Sequence, residues 1–198
     1  MNITFDNFYS LDSKLRKQYI NDIDVLTSMV KQNVSEHRYA HSLSVANVCR
    51  DLAFKHKVDP DKAYLAGLLH DCCKFPDSDT SGVLEEYLKY YEPSRLEGEF
   101  AHEYGCFHSW VAKYYLKEKL NFHDKDILNA IYNHTICESR DKLSIILFIA
   151  DKREPLRNIN DDILKIAEKD LFKAYYLLQE DIKKYLEEKN ERFIASSV

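Results

Sequence analysis

His70 and Asp71 end the apolar run Leu65-Ala66-Gly67-Leu68-Leu69, and Lys74 follows three positions after Asp71. An ionised carboxylate there costs several kcal/mol to bury unless it is paired or ligates a metal. The adjoining imidazole is a second donor that divalent metals accept. A lone His-Asp pair proves little, so the reading turns on whether other His and Asp residues hold similar inward positions. His41 heads a stripe with Val45, Val48, Cys49 and Leu52. His108 shares a face with Val111, Ala112 and Tyr115. His134 ends the stripe Ile127, Leu128, Ile131, and Asp151 follows the nearly all-apolar Leu143–Ala150. Spacings of three and four put each set on one side of a helix. Helices packed around one core would bring these ends together. Four imidazoles and two carboxylates suit transition metals. Six protein ligands are many for one catalytic ion that must keep open positions, and they suit two ions bridged by a carboxylate.

The remaining histidines read differently. His37 lies one turn before His41 and precedes the apolar stripe, and His102 precedes Gly105 without a stripe of its own. His123-Asp124 follows a loop, and there Asp124 fits a helix N-cap with Asp126 as a first-turn acid. Taken alone, His41 reads as a satisfied core histidine. For Asp151 the competing expectation is a salt bridge to a nearby arginine.

Helices must carry all of these groups. Only four Gly and four Pro occur among 198 residues, which favours long helices with few tight turns in one all-α domain. The pattern predicts a short packing helix within residues 1–18 and an amphipathic helix from Ile20 to Val34. It predicts a helix opened by Ser35 as N-cap, and another opened by Asp59-Pro60-Asp61 and stopped by Phe75-Pro76. A polar loop over 76–82, a tyrosine-rich helix from Val83 to Tyr91 and a loop from Pro93 to Gly98, a candidate lid, come next. Pro155 marks an exit after Asp151. From Asp161, Ile163, Ile166, Ala167, Leu171, Ala174, Leu177 and Leu178 outline one long C-terminal helix, followed by a charged tail. The organisation expected is 1–34 as N-terminal helices packed on the core, 35–160 as the core, and 161–198 as a C-terminal helix and tail of the same domain.

Several function classes are disfavoured. No run approaches the ~18 apolar residues of a membrane span. The start Met1-Asn2-Ile3-Thr4-Phe5-Asp6 lacks a signal-peptide pattern, so a cytoplasmic location is expected. Net charge is −5 with no basic tract, which argues against nucleic acid. Cys49, Cys72, Cys73, Cys106 and Cys137 are odd in number and form no Cys-x-x-Cys, against a disulfide framework or zinc ribbon. Cys72 and Cys73 adjoin the proposed site, where oxidation would affect it.

The pattern His41 … His70-Asp71 … Asp151 resembles the HD-domain phosphohydrolase superfamily, an all-helical fold. The finer resemblance is to the YqeK-type symmetrical bis(5′-nucleosyl)-tetraphosphatases. Arg38-Tyr39-x-His41-Ser42-Leu43-x-Val45-Ala46 is similar to their first metal motif, and Ala66-Gly67-Leu68-Leu69-His70-Asp71-x-x-Lys74 to their second. His108 with Val111-Ala112, and His134-Thr135, resemble their two extra histidines. Ile149-Ala150-Asp151-x-x-Glu154-Pro155-x-Arg157 resembles their last motif. Cys137 and Leu156 depart from that pattern at positions where Gly is common, both in loops expected near the substrate.

The resemblance implies a di-metal centre, most often iron, with manganese among the alternatives, that splits dinucleoside polyphosphates into two equal nucleotides. It implies Asp71 as the bridge, His41, His70 and Asp151 completing one site, and His108 and His134 the other. Asp71 and Lys74 take catalytic roles, and Lys74, Arg38, Arg157 and Thr135 contact the substrate. The partners expected are a dinucleoside polyphosphate or related nucleotide and, as an option, a second copy of the chain, with no nucleic acid and no membrane. Two other readings compete. Another HD-type nucleotide hydrolase using four ligands would leave His108 and His134 unexplained. An alarmone hydrolase would carry Glu-Asp between the second and last motifs, whereas here it occurs only at Glu180-Asp181. A nucleotide-binding HD module without catalysis would show lost ligands, and all six are present.

Overall fold

The computed structural model describes residues 22–74, 87 and 107–188. The helices expected within 1–18 and over Val83–Tyr91 (Tyr87 apart), the loop Pro93–Gly98, His102, Cys106 and the tail beyond 188 lie outside the described residues. Among the described residues every regular element is helical and no strand occurs.

Helix α1, Ile23–Asn33, starts three positions later than Ile20 predicts, because Asp22 caps it by accepting from the Asp24 and Val25 amides. It buries Val25, Leu26, Met29 and Val30 against the next two helices. Helix α2, Glu36–His56, is capped by Ser35 and ends at Lys57 in the left-handed region, φ 57°. Helix α3, Pro60–Leu69, has Asp59 as cap and Pro at its start. It lies very close to α2 at Gly67, where a Cβ would stand 2.6 Å from the Ala46 Cα. Glycine is required there by the neighbouring backbone. The helix ends before Phe75-Pro76, and a turn over 70–73 replaces its last coils. The His70 ring binds the Gly67 carbonyl at 2.7 Å, an acceptor that a further helical turn would use.

Helix α4, Phe107–Tyr114, runs into a π-helical turn, Tyr115–Lys119, closed by Leu120 N donating to Tyr115 O at 3.2 Å. Helix α5 spans Lys125–Asn133 with Asp124 as cap. Helix α6, Lys142–Arg153, is the centre of the fold. It packs on α2, α3 and α5 and on the two C-terminal helices, so every residue from Leu143 to Asp151 is buried. That surrounding explains a helix apolar on nearly all sides.

The single long C-terminal helix is two: α7, Ile163–Ala167, and α8, Leu171–Glu188. Lys169 N and Asp170 N both donate to Ile166 O, and the Asp170 carboxylate accepts from Lys173 N at 3.0 Å. An N-cap inside the apolar stripe restarts the helix without disturbing the periodicity on either side.

Candidate metal centre

Five elements each deliver a donor to one place. His41 comes from the first turns of α2, and His70-Asp71 from the turn after α3. His108 opens α4, His134 ends α5, and Asp151 lies in the last turn of α6. Asp71 Oδ1 is 3.3 Å from His108 Nε2 and 3.6 Å from both His70 Nε2 and His134 Nε2. Asp151 Oδ1 is 3.2 Å from His41 Nε2 and 3.6 Å from His70 Nε2. The donors form three overlapping groups, His41-His70-Asp71, His70-His134-Asp151 and Asp71-His108-His134, each with ligand atoms within 4.8 Å of one another.

The rings are held from behind. His70 Nδ1 donates to Gly67 O and His134 Nδ1 to Ile131 O, both at 2.7 Å. Each of those bonds leaves the Nε2 lone pair facing the acids. His41 Nδ1 faces Glu154 Oε1 at 3.1 Å. His70 Nε2 and Asp71 Oδ1 are fully buried and have no hydrogen-bond partner. Leaving such atoms unsatisfied is costly, and a cation placed among nitrogen and carboxylate donors removes the cost. The residues therefore fit a transition-metal centre.

The electrostatics agree. Burial acts to raise the Asp71 pKa, but His70, His134, Lys74 and His108 outweigh it and hold the carboxyl well below its usual range. Burial of Asp151 is likewise outweighed, by Lys152, His41 and His70. Burial pulls the His134 pKa down and keeps the ring neutral, as a ligand must be. Burial also acts to lower the His70 pKa, but Asp71 and Asp151 raise it above its ordinary value. Without a metal, a proton is the cation these two acids attract.

Cations ring the acids. Lys74 Nζ is 3.3 Å and an Arg38 guanidinium nitrogen 3.6 Å from Asp71 Oδ2. Arg157 pairs with Asp151 Oδ1 at 2.9 Å, so the expected alternative for Asp151 is present alongside its histidine contacts. A cleft of about 680 Å³ opens beside Asp71 and His41 and is lined by Arg38, Lys74 and Arg157, among others. His37 also lines it, exposed, outside the donor groups. Thr135 Oγ1 bonds Ser109 Oγ at 3.2 Å and is not among the residues lining this cleft. Cys137, expected near the substrate, is buried, and its carbonyl accepts from Tyr175 Oη. The other half of the second His-Asp pair, His123, is exposed and bonds Asn121.

Two residues to which sequence reasoning gave no role belong here. Glu154 is only 2% exposed and backs His41. Its spacing of three from Asp151 was the available signal. Lys152 Nζ bonds the His134 carbonyl at 2.9 Å and Asp151 Oδ2 at 3.2 Å, tying α6 to the end of α5. Nothing in the periodicity marks it.

The HD domain family model matches residues 38–156. Over 168 residues the chain is 30% identical to "Bis(5'-nucleosyl)-tetraphosphatase, symmetrical" of Bacillus subtilis, covering 82% of this chain and 86% of that protein. It is 33% identical over 171 residues to "Probable nicotinate-nucleotide adenylyltransferase/Ap4A hydrolase" of Mycoplasma genitalium. That match takes in 80% of this chain, which spans about half of that relative's length, 46%. A crystal structure from Clostridium acetobutylicum, described as a "predicted HD superfamily hydrolase involved in NAD metabolism", superposes with a TM-score of 0.75 at 29% identity, over 86% of this chain and 90% of that one.

Proposed function

Because the chain belongs to the HD domain family, we propose that it is a metal-dependent phosphohydrolase that cleaves diadenosine tetraphosphate symmetrically into two ADP. The Bacillus subtilis relative, similar over most of both chains, carries the name of that activity. The observation that carries the reading is the convergence of six donors, four buried and His41 and His108 half-buried, in three overlapping groups beside a cationic cleft. His41, His70, Asp71, His108, His134 and Asp151 would hold two metal ions, with Asp71 shared. We assign iron as the metal and the cytoplasm as the compartment, on the resemblance.

When bound, the ions supply Lewis acidity that activates water and neutralises phosphate charge. The chain's own residues do the rest. Asp71 and Asp151 stay ionised, and the back-bonded His70 and His134 keep their Nε2 atoms aimed inward. Lys74 and Arg38 gather positive charge at the outer oxygen of Asp71, where a phosphate entering the cleft gains charge-assisted hydrogen bonds. Lys74 then stabilises the negative charge that grows on the phosphates as the bridge breaks, its catalytic role here. Arg157 anchors Asp151 and adds a third cation to the cleft wall, whereas a substrate contact for Thr135, whose hydroxyl bonds Ser109, rests on the resemblance alone. Hydrolysis adds one water across the central P–O–P bridge. The water oxygen joins one phosphorus, and the bridging oxygen leaves with the other.

The test is to incubate metal-loaded protein with diadenosine tetraphosphate and separate the nucleotides formed. Two equivalents of ADP are expected. ATP plus AMP would overturn symmetrical cleavage, and no turnover with metal bound would make the protein a binding module.

A further inference from the structure

We propose that Leu156 and Ile159 form an apolar shelf at the mouth of the cleft that holds a nucleobase of the substrate by its face. The proposal deepens the hydrolase reading and rests on it for the ligand class. Leu156 is 57% exposed and Ile159 48% exposed, and both line the same cleft as Arg38, Lys74 and Arg157. Single exposed aliphatic side chains are ordinary. Two that converge in one concave site, next to three cations, are a composition suited to a ligand with an apolar ring and an anionic tail.

The local backbone places them deliberately. Leu156 N donates to Glu154 Oε2 at 2.7 Å, which ties the shelf to the carboxylate behind His41. Arg157, next in the chain, turns back to Asp151 at 2.9 Å. Asn158 then adopts a left-handed conformation, φ 53°, and its amide donates to Pro155 O. That turn returns the chain so that Ile159 joins Leu156 at the cleft. One short segment therefore supplies the support for a histidine, a cation and an apolar surface. The cleft wall thus combines acids, cations paired with them and aliphatics. A nucleotide, with its anionic phosphates and flat apolar ring, presents groups that suit the last two. Nucleotide-sized ligands also fit a cleft of about 680 Å³.

Leucine and isoleucine side chains have no hydrogen-bonding groups, so this shelf touches the ring face and does not read the base edge. It gives affinity for the base with little discrimination between adenine and guanine.

The test uses the full-length, metal-loaded chain and titration calorimetry with two probes, ADP and inorganic pyrophosphate. Leu156→Ser and Ile159→Ser are each expected to weaken ADP binding by roughly tenfold, the scale of small apolar contacts in a pocket, and to leave pyrophosphate binding within about twofold. GDP should be weakened as much as ADP. Unchanged ADP affinity in both variants, an equal loss for pyrophosphate, or a wild type that binds no ADP would overturn the shelf. Turnover of diadenosine tetraphosphate by the wild type is read separately. A wild type that binds ADP through this surface but does not cleave that substrate symmetrically fails the hydrolase reading and leaves the shelf standing. Melting curves for both variants confirm folding, which these exposed positions should leave intact.

Discussion

The Nε2 atoms of His108 and His134 stand 3.0 Å apart, one delivered by the start of α4 and the other by the end of α5. His134 gives its Nδ1–H to the Ile131 carbonyl, so its Nε2 turns a lone pair towards His108. Two ring nitrogens at that distance need a proton or a cation between them. Asp71 Oδ1, 3.3 Å from one and 3.6 Å from the other, completes a site for either. Because burial lowers the His134 pKa, charging that ring with a second proton is unfavourable, and a cation drawn by Asp71 is the better occupant. The packing of α4 on α5 thus builds half of the centre from residues 26 positions apart.

Asp71→Ala is expected to remove at least one metal ion per chain and to lower kcat by more than the ~100-fold typical at the top of the range for outer-shell substitutions. The reason is geometric, since one carboxylate serves histidines from three elements. It also leaves Lys74 and Arg38 facing each other without their shared acid. Metal analysis and steady-state rates check it, and wild-type metal content with full activity would refute the assignment.

Glu154→Gln is expected to weaken metal binding by roughly tenfold, within the range seen for groups that orient a ligating histidine. Glu154 uses one oxygen for His41 Nδ1 and the other for the Leu156 amide. Glutamine has a single acceptor oxygen and can serve only one of them. Titration of the metal-free variant, with a melting curve beside it, separates this positioning role from a loss of fold, and unchanged metal affinity would remove it.

Much of this arrangement can be read from local pattern, because helix caps and apolar stripes are short-range features. Ser35, Asp59 and Asp124 cap the helices predicted for them, and His41, His134 and Asp151 sit at the stripe ends where periodicity places them. What the pattern misses involves competition for backbone groups. Asp170 splits one apolar stripe into two helices, and His70 takes a carbonyl that would have carried α3 towards Phe75. Glu154 and Lys152 act across elements, on His41 and on the His134 carbonyl, and such contacts have no period along the chain.

Gly67→Ala is expected to cost about 1–3 kcal/mol in stability, the usual range for forcing an extra methyl into a packed core. The added carbon would meet the Ala46 backbone, which belongs to a helix and cannot rotate aside as a side chain would. The shift would spread to the His70 ring, anchored on the Gly67 carbonyl, and from there to metal content. Denaturant unfolding together with metal analysis checks both effects, and a variant of wild-type stability would show that α2 and α3 separate freely.

Asp124→Ala is expected to lower stability by about 1 kcal/mol, the typical worth of a helix N-cap, without changing metal content. His123→Ala should change neither, since His123 is exposed and contacts only Asn121 among the bonds described for it. Asp124 accepts from the Asp126 and Ile127 amides and lies 3.0 Å from Lys62 Nζ on α3. Burial acts to raise its pKa, but the Lys62 bond and those amides outweigh it and hold it below the ordinary carboxylate value. A depressed folded-state pKa adds stability that is complete above the unfolded value, about 3.9, and fades as pH falls through the folded value. The wild type and Asp124→Ala should therefore differ at neutral pH and converge in acid below about pH 4. Unfolding midpoints measured across that range test the cap directly, and a difference that persists undiminished at low pH would show that Asp124 acts through something other than its charge.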